Sequence, residues 1–476
     1  MIYDSIHDTL SKKGINTITG DMYDFISRWT SWYRGNVNDF HYYHIRLADG
    51  TTQKKERLTM NMSKKICEDF AKLMWSEKVK ITLDSNKKTI KLLEILENKK
   101  NNFRVNFPTL VEKTFAMGTG ATIEYLKDNE VMIDYLEADV IIPYLYCNNN
   151  ITGIITLDSF TEGTGKDKVY YFHLTYHEYV DGVYRTYHEL YKSKKSHELG
   201  KQVNFEEMFP DVKNIEIVTQ TPHFQILRPN IVNNLDLNNP MGISVFANHI
   251  DKLKALDIAY DSFNEEILTG KRRILVDKTA LKGTPTYDPA TDTTTQTLAF
   301  DKNDTVYQAI SGMENAPVKE INFNIRHNEF IESIKTQLNL LSAGVGLGQA
   351  YYSFDRQTGI KTATEVISEK SDTFRTKKNH EIILYDMLYN LISAVMELSG
   401  IKSKEINIEF DDSIIEDKAT EIKQGLELLQ NKVISKHTFL VDYLGYGEEE
   451  AKLELEKIAS DTVTPENIDF FGVNNE

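Results

Sequence analysis

The chain has 476 residues, of which 41% are hydrophobic and 26% charged, so it can bury a sizeable core and we expect two to four structural units. Its formal net charge is −16, and residues 411–476, with 16 acids against 6 bases, supply −10 of it. This balance excludes a protein that grips nucleic acid through clustered lysines and arginines. Two cysteines exclude a disulfide framework. We also expect no secretion signal, and no apolar run near the ~20 residues that cross a bilayer.

The first 240 residues have the pattern of an α+β region. Ile66, Phe70 and Leu73 predict a helix, which leads into a strand at 79–83 and a second helix at 89–96. Alternating apolar residues at 121–126 and 131–136 predict a hairpin.

Another hairpin is predicted at 168–191, where apolar residues alternate on both sides of Asp181-Gly182. Seven tyrosines lie in this segment. Their expected role is sheet packing, because stacking on nucleic-acid bases would need an accompanying basic groove.

A long helix is predicted at 244–269, before Gly270. Its apolar side chains recur at steps of three and four: Ile250, Leu253, Leu256, Tyr260, Phe263 and Ile267. At about 1.5 Å per residue the helix would be roughly 39 Å long, with one narrow apolar stripe.

A small β-containing insert follows at 271–323, where the helical period disappears. Strands are predicted at 273–276, 293–300 and 305–310. Lys271, Arg272 and Arg273 form a local basic spot, which is either a contact site or simply the solvated start of a strand.

Two further helices flank a glycine-punctuated loop. The first carries Phe330, Ile334, Leu338 and Leu341 and is expected to end at Gly344 in a left-handed turn. The loop then continues to Phe354. The next helix is expected from Thr362, capped reciprocally by Glu365, to Gly400. A strand at 405–410 and three helices, at 415–429, 435–444 and 447–460, complete the chain.

No motif in the sequence assembles a catalytic site. The glycines of 344–348 follow a helix rather than a strand, so they do not make a phosphate loop. The His-Glu pairs of 177–198 lack a second histidine at the spacing of a zinc protease. We therefore predict no enzyme, no cofactor and no metal, although a nuclease built from scattered carboxylates stays open.

Four segments resemble the portal proteins of tailed bacteriophages, in the branch typical of long-tailed phages of Gram-positive hosts. They are 29–35 (Trp-Thr-Ser-Trp-Tyr-Arg-Gly), the helix at 60–77, the turn into a strand at 116–125 (Ala-Met-Gly-Thr-Gly-Ala-Thr-Ile-Glu-Tyr), and 251–276, which contains Ala-Leu-Asp-Ile-Ala-Tyr-Asp and ends in Arg-Ile-Leu-Val. The order of elements across most of the chain is also similar to that family.

The resemblance implies an α+β, multi-part portal architecture. Its parts would be a wing (1–240 and the long helix and strand at 361–412), a stem of two helices (241–270 and 324–343), a clip insert (271–323), a tunnel loop (344–360) and an α-helical crown (413–476). Such a protein forms a ring of about twelve copies around a channel for double-stranded DNA. The ring is assembled in the host cytoplasm and sits at one capsid vertex of the virion, where DNA is packaged and ejected.

The resemblance also implies partners and site residues. Terminase would dock at the clip (Lys271, Arg272, Arg273), a head-completion adaptor would follow it as the head-tail connector forms, and capsid and scaffold proteins would surround the wing; no membrane is expected. The stem stripe would contact neighbouring subunits. The DNA-facing loop would present Gly344, Gly346, Gly348, Tyr351, Tyr352, Phe354 and Arg356.

Two other functions remain possible from the sequence alone. One is another structural ring of a phage particle, such as an adaptor or tail component, although such chains are ordinarily shorter and lack the helix-insert-helix order. The other is the metal-dependent nuclease.

Overall fold

The computed structural model describes residues 2–47, 49–76, 78–148, 150–277, 284–289, 292–297, 307–310, 318–349, 351–352, 363–410 and 418–461. The fold mixes helices with small, mostly antiparallel sheets, and the α+β class is confirmed.

The N-terminal part is mainly helical. Its elements are α1 (Ile2–Ser11), α2 (Asp21–Tyr33), α3 (Asn38–His41), β1 (Tyr42–Arg46), β2 (Thr52–Glu56), α4 (Met62–Met74), β3 (Lys80–Leu83), α5 (Asn86–Leu96) and α6 (Phe103–Met117). The predicted helix-strand-helix order at α4, β3 and α5 is confirmed. The sequence analysis did not predict α6, which contains Pro108 within its second turn.

Residues 120–227 form two sheets. The strands are β4 (Gly120–Lys127), β5 (Glu130–Glu137), β6 (Ile141–Cys147), β7 (Asn150–Glu162), β8 (Val169–Val180), β9 (Val183–Ser193), β10 (Lys201–Val203), β11 (Ile215–Val218) and β12 (Phe224–Leu227), with the short helix α7 (Phe205–Met208) before β11. One sheet has the order β10-β9-β8-β7-β6, with β11 also paired to β9, and the other has the order β12-β4-β5. Both predicted hairpins are confirmed. The second turns at Asp181 and Gly182, which have φ of 53° and 77°.

The second half contains the long helices. It comprises α8 (Ile250–Thr269), β13 (Arg273–Asp277), β14 (Thr284–Asp288), β15 (Thr293–Thr297), β16 (Tyr307–Ile310), β17 (Val318–Ile321), α9 (His327–Gly344), α10 (Ala363–Ser399), β18 (Ile406–Glu409), α11 (Lys418–Gln430), α12 (Lys436–Thr438), which continues as a π-helical turn over Phe439–Tyr443, and α13 (Glu448–Asp461).

One predicted helix start is corrected, and one predicted helix end is confirmed. The α-helix α8 begins at Ile250 rather than Ser244, because a 3₁₀ turn, Ala247–His249, precedes it. Helix α9 ends at Gly344 as predicted, but the left-handed residue that follows is Gly346, with φ of 83°. The predicted cap at Thr362 lies outside the described residues, as does the connection from Phe354 to Gly359.

The core shared by the N-terminal helices and the β12-β4-β5 sheet is organised around α10. Leu388, Leu391 and Val395 are fully buried, and the helix packs against α4, β4 and β12, while β18 pairs with β3. Within α10, the segment Ser371–Ser399 contains an 18-residue stretch with a mean hydropathy of 1.3, so by length and composition alone it is apolar enough to cross a membrane. This corrects the expectation that no apolar run approaches that length. Its apolar character matches its place in the core of the folded chain.

Candidate functional site: a helical hairpin that carries a small sheet

Helices α8 and α9 form an antiparallel hairpin. Leu253 and Leu256 of α8 are buried, as are Ile334, Leu338 and Leu341 of α9. Near the end of the hairpin that carries the insert, which we call the far end, the Phe263 and Phe330 rings lie 5.7 Å apart. The apolar stripes predicted for the two helices therefore pack along one shared seam.

Polar contacts tie the hairpin together at both ends. At the far end, the Arg326 backbone amide and Nε each donate to Glu266 Oε1 at 3.0 Å, and this pairing lowers the pKa of Glu266 to about 2. At the near end, Lys252 Nζ donates to the Leu340 carbonyl at 2.9 Å. A cation on a terminal carbonyl of α9 also suits the negative end of the helix dipole.

The six predicted interface residues of α8 fall into three groups. Ile250, Leu253 and Leu256 are buried inside the subunit, Tyr260 and Phe263 are half-buried, and Ile267 is exposed. The first three are covered by the chain's own core. The surface of α8 that stays open to another molecule lies at Ile258 and toward the far end, at Ile267 and Leu268.

A second face of α8 is acidic and binds the segment 55–60. Asp257, Asp261 and Glu265 follow one another at steps of four, which places them on one side of the helix. Asp257 accepts hydrogen bonds from the Met60 amide and the Thr59 hydroxyl, both at 2.9 Å. These bonds are joined by three others: the Leu58 amide to Asp261 at 3.0 Å, Lys55 to Glu265, and His41 Nε2 to Asp257 at 3.4 Å.

This acidic face joins the N-terminal part of the chain to the hairpin. Burial raises the pKa of Asp257, while its hydrogen bonds to Met60, Thr59 and His41 oppose that rise. The sequence analysis missed this contact. The signal was present as three acids at a spacing of four on a helix whose apolar stripe lay elsewhere.

The insert between α8 and α9 carries a small sheet. Strand β13 lies at its centre, parallel to β16 and antiparallel to β17, and β14 pairs with β15 in a separate hairpin. Lys271 and Arg272 are exposed just before β13, and Arg273 is its half-buried first residue. Arg272 Nε lies 2.7 Å from Glu320 Oε1, so part of the predicted basic spot is paired within the sheet.

The residues after α9 are docked rather than free. The Leu347 amide donates to the Ser342 carbonyl at 3.0 Å across the left-handed Gly346, which closes the helix. Two hydroxyls of α10 then bind this turn: Thr376 Oγ1 donates to the Gly346 carbonyl at 2.7 Å, and Thr373 Oγ1 to the Leu347 carbonyl at 2.5 Å. Leu347 is buried in the core. Gly348 also has positive φ, 82°.

The two tyrosines that follow differ in their environment. Tyr351 is exposed, whereas Tyr352 is half-buried and packs against the main core. Burial and the neighbouring Asp69 carboxylate raise the pKa of Tyr352. Tyr352 therefore packs the end of the docked turn against the core, near Asp69 of α4. Phe354 and Arg356 lie outside the described residues.

The described part of the chain brings together no set of three or more His, Cys, Asp or Glu side chains that could hold a metal ion. His173 and His188 do approach, with Nε2 and Nδ1 3.1 Å apart, but they pack on the Phe205 ring and burial lowers the pKa of both. This pair is a packed core contact of the sheet β10-β9-β8-β7-β6.

Comparison with known families gives the identity of this arrangement. The model of the family "Phage portal protein, SPP1 Gp6-like" matches residues 20–462, which include the hairpin, its sheet and α10. The chain belongs to this portal protein family. No curated protein sequence matches it.

Family membership decides between the functions that the sequence left open. A portal is a structural component of the virion, located at a capsid vertex, and it provides the channel for DNA packaging. Portal proteins are not enzymes, so the nuclease is rejected. The other structural rings of a phage particle are rejected by the same match.

The docked turn of the portal subunit predicts an unequal cost for two glycine substitutions. Gly346 and Gly14 have φ of 83° and 80°, but a Cβ at 346 would lie 2.7 Å from Thr376 Oγ1, whereas one at 14 would meet nothing within 4 Å. Gly14→Ala should cost about 1 kcal/mol of unfolding free energy for the left-handed backbone. Gly346→Ala should cost about 1–3 kcal/mol more for the crowding. Urea unfolding of both variants measures this difference, and equal losses would contradict a tightly docked turn.

The acidic face of α8 predicts a large loss on removing Asp257. Asp257→Ala leaves the Met60 amide without its partner in a buried site, so we expect the unfolding free energy to fall by about 2–4 kcal/mol. Asp251→Ala is the matched control, because Asp251 lies on the same helix and is 95% exposed at its side chain. It should change stability by less than about 0.5 kcal/mol. Urea unfolding and proteolysis of the 47–60 segment report the two effects, and a small loss for Asp257→Ala would refute the joining role.

Proposed function

We propose that this portal protein assembles as a ring of about twelve copies around double-stranded DNA, at the vertex through which a long-tailed phage of a Gram-positive host packages and ejects its genome. The observation that carries the proposal is the hairpin of α8 and α9 with a small sheet at its far end, within a family match over residues 20–462.

The parts of the ring follow the order of the elements. Residues 1–240 and 361–412 form the wing, 241–270 and 324–343 the stem, 271–323 the clip, 344–360 the tunnel loop and 413–476 the crown. Two features support this division: the residues directly after α9 are docked on α10 by Thr373 and Thr376, and the sheet of the insert pairs only with itself among the described strands.

The charge of the chain suits a conduit. A wall that presented clustered lysines would hold the phosphates and resist sliding, because each ion pair releases counterions and adds affinity. A net charge of −16 per copy acts in the opposite sense and leaves the duplex free to move in both directions. The channel wall is therefore proposed to repel the DNA phosphates rather than to bind them.

The tunnel loop is proposed to reach the DNA from a fixed base. Gly346 and Gly348 allow the sharp turn that ends α9, and Tyr352 holds the loop to the core near Asp69. Tyr351 is exposed at this base. We propose that Phe354 and Arg356 lie nearer the duplex, where an aromatic ring and one cation give contact without a continuous basic surface.

The partners are assigned by position. Terminase would dock at the clip during packaging, near Lys271, Arg272 and Arg273, and a head-completion adaptor would replace it. Capsid and scaffold proteins would surround the wing. ATP hydrolysis belongs to the motor in this scheme, which agrees with a chain that carries no Walker motif.

The first test is an image of the purified portal. Electron microscopy viewed down the particle axis should show closed rings with a central hole and about twelve repeats. Native mass spectrometry supplies the copy number independently. Particles that remain single subunits in both experiments would overturn the proposal.

The second test addresses the tunnel loop. Replacing residues 353–360 by a Gly-Ser linker of equal length keeps the docked turn and Tyr352, so rings should form normally. We expect the loss of the loop to make DNA packaging less favourable by at least about 1.4 kcal/mol, so packaged DNA per capsid should fall at least about tenfold. Phage carrying the linker but packaging and retaining DNA at the wild-type level would contradict a DNA-facing loop. As a control for the introduction of flexible chain, residues 47–51 are replaced by a Gly-Ser linker that has as many residues as the segment it replaces.

A further inference from the structure

Strand β4 carries a carboxyl group, that of Glu124, in the interior of the subunit. Its residue is 0% exposed. The Thr122 hydroxyl donates to Oε1 at 2.6 Å, and the side-chain amide of Gln225 donates to Oε2 at 3.2 Å. Among the described residues, these two neutral side chains are its only side-chain hydrogen-bond partners, and no basic side chain pairs with it. A negative charge on Glu124 would therefore be buried without a counter-charge.

Tyrosines and histidines surround Glu124, and all of them are neutral near neutral pH. Burial, and then the Glu124 carboxylate, raise the pKa of Tyr135 on β5 and of Tyr184 on β9. His223 lies opposite Glu124, because the Glu124 amide donates to the His223 carbonyl at 3.0 Å, and its ring lies 4.9 Å from the Tyr184 ring. The Tyr184 hydroxyl contacts His177 Nδ1 at 2.8 Å. Burial lowers the pKa of His177 to about 3 and that of His223 to about 4, so neither imidazole supplies a positive charge.

The described charged side chains on the helices that pack against β4 have other partners or face solvent. On α6, Glu112 and Lys113 each form an ion pair with another side chain. On α10, Asp386 is exposed and lines the cavity beside Gln225. Arg228 lines the same cavity, and its guanidinium donates to a backbone carbonyl. The surroundings of the Glu124 carboxyl group are therefore polar but uncharged.

A carboxyl group in such a site keeps its proton to a higher pH than one in water. Ionisation would place a charge in a medium of low dielectric constant with only two neutral donors beside it. Burial raises the pKa of Glu124 from its usual 4.5 to about 7, while the hydrogen bonds from Thr122 and Gln225 oppose the rise. The protonated form keeps both contacts, because a hydroxyl can accept as well as donate. Glu124 therefore changes its charge near neutral pH.

The position of Glu124 links it to the root of the helical hairpin. Strand β4 pairs with β12, and α10 packs against both strands. After β12 the chain returns to the start of β4, where the Gly242 amide donates to Thr119 Oγ1 at 3.1 Å. Helix α8 begins shortly after this contact. A change in the spacing of β4 and β12 would therefore act on the segment that leads into the hairpin.

We propose that Glu124 is a proton switch built into the subunit: its protonated form holds β12 against β4 and α10, and release of the proton to solvent leaves a buried charge that loosens this junction. The Nε2 atoms of His177 and His223 have no hydrogen-bond partner among the described residues. The junction thus contains further buried polar groups that water can satisfy once it opens. The inference goes beyond the proposed function, because it concerns the single folded subunit and does not depend on ring formation.

The test compares wild type with Glu124→Gln, which has the shape of the protonated carboxyl group and cannot ionise. The folded chain binds the Glu124 proton more tightly than the unfolded chain does, so ionisation reduces stability as the pH rises from about 4.5 through about 7. Urea unfolding of the full chain gives the unfolding equilibrium constant of each protein. The ratio of the wild-type constant to that of Glu124→Gln should rise at least about tenfold between about pH 5 and about pH 8.

The matched control is Glu130→Gln. Glu130 belongs to β5 of the same sheet, and it is exposed. The ratio of the wild-type constant to that of Glu130→Gln should change less than about twofold over the same pH range.

Two further measurements use the folded protein. Infrared difference spectra between about pH 5.5 and about pH 8 should show the loss of a protonated carboxyl band in wild type, and Glu124→Gln should lack this change. Hydrogen exchange at residues 120–127 and 224–227, corrected for the intrinsic rates, should reveal more opening at the higher pH in wild type than in Glu124→Gln. If Glu124→Gln does not fold, Glu124→Met removes the ionisable group with an apolar side chain and should give the same pH dependence.

Each outcome decides the inference. A ratio between wild type and Glu124→Gln that stays constant with pH, or infrared changes that are the same in both proteins, overturns the proton switch. A ratio that rises while hydrogen exchange in β4 and β12 stays equal in the two proteins overturns the loosened junction. Failure of the chain to form rings would overturn the proposed function and leave this inference standing.

Discussion

The burial of Asp257 between α8 and the segment 55–60 constrains the whole subunit. A buried carboxylate is costly unless its oxygens are hydrogen-bonded, and here they accept from the Thr59 hydroxyl and the Met60 amide at 2.9 Å. The requirement fixes the rotation of α8 about its own axis. Once the acidic side faces segment 55–60, the apolar stripe must face α9. The third side, with Ile258 and Ile267, is left for contacts outside the subunit.

A second set of contacts links the hairpin to α10. The left-handed turn at Gly346 is held by Thr373 and Thr376, and Tyr352 packs on the core near Asp69. Displacement of α9 along its axis would therefore act on α10 and α4 at the same place. Further along α10, Leu388 and Leu391 are buried in the core. Helix α10 thus joins the turn after α9 to α4, β4 and β12.

The sequence predicted the elements better than their partners, for a physical reason. The spacing of apolar residues predicts which side of a helix is apolar, and this was enough to place α4, α8 and α9. The pair Asp-Gly strongly favours positive φ, and this placed the hairpin turn at Asp181. The spacing of apolar residues does not say which surface packs against the apolar stripe. Leu253 is covered by the subunit itself, and nothing in its spacing distinguishes that case from cover by a neighbour. Likewise, several glycines at 344–348 fit a helix end, and only the close approach of Thr376 selects Gly346.

Net charge imposes opposite demands on the inside and the outside of the ring. Toward the channel, negative charge keeps the duplex mobile; between copies, the same charge opposes assembly. In the described part of the chain, some carboxylates are paired with basic side chains of the same subunit. On α8, Asp261 lies 4.0 Å from Arg57 Nε and Glu265 pairs with Lys55 of the same subunit, so their charges are partly balanced within the subunit. Because residues 411–476 hold −10 of the −16, the hairpin lies in the part of the chain that is closer to neutral, where repulsion between copies is weaker.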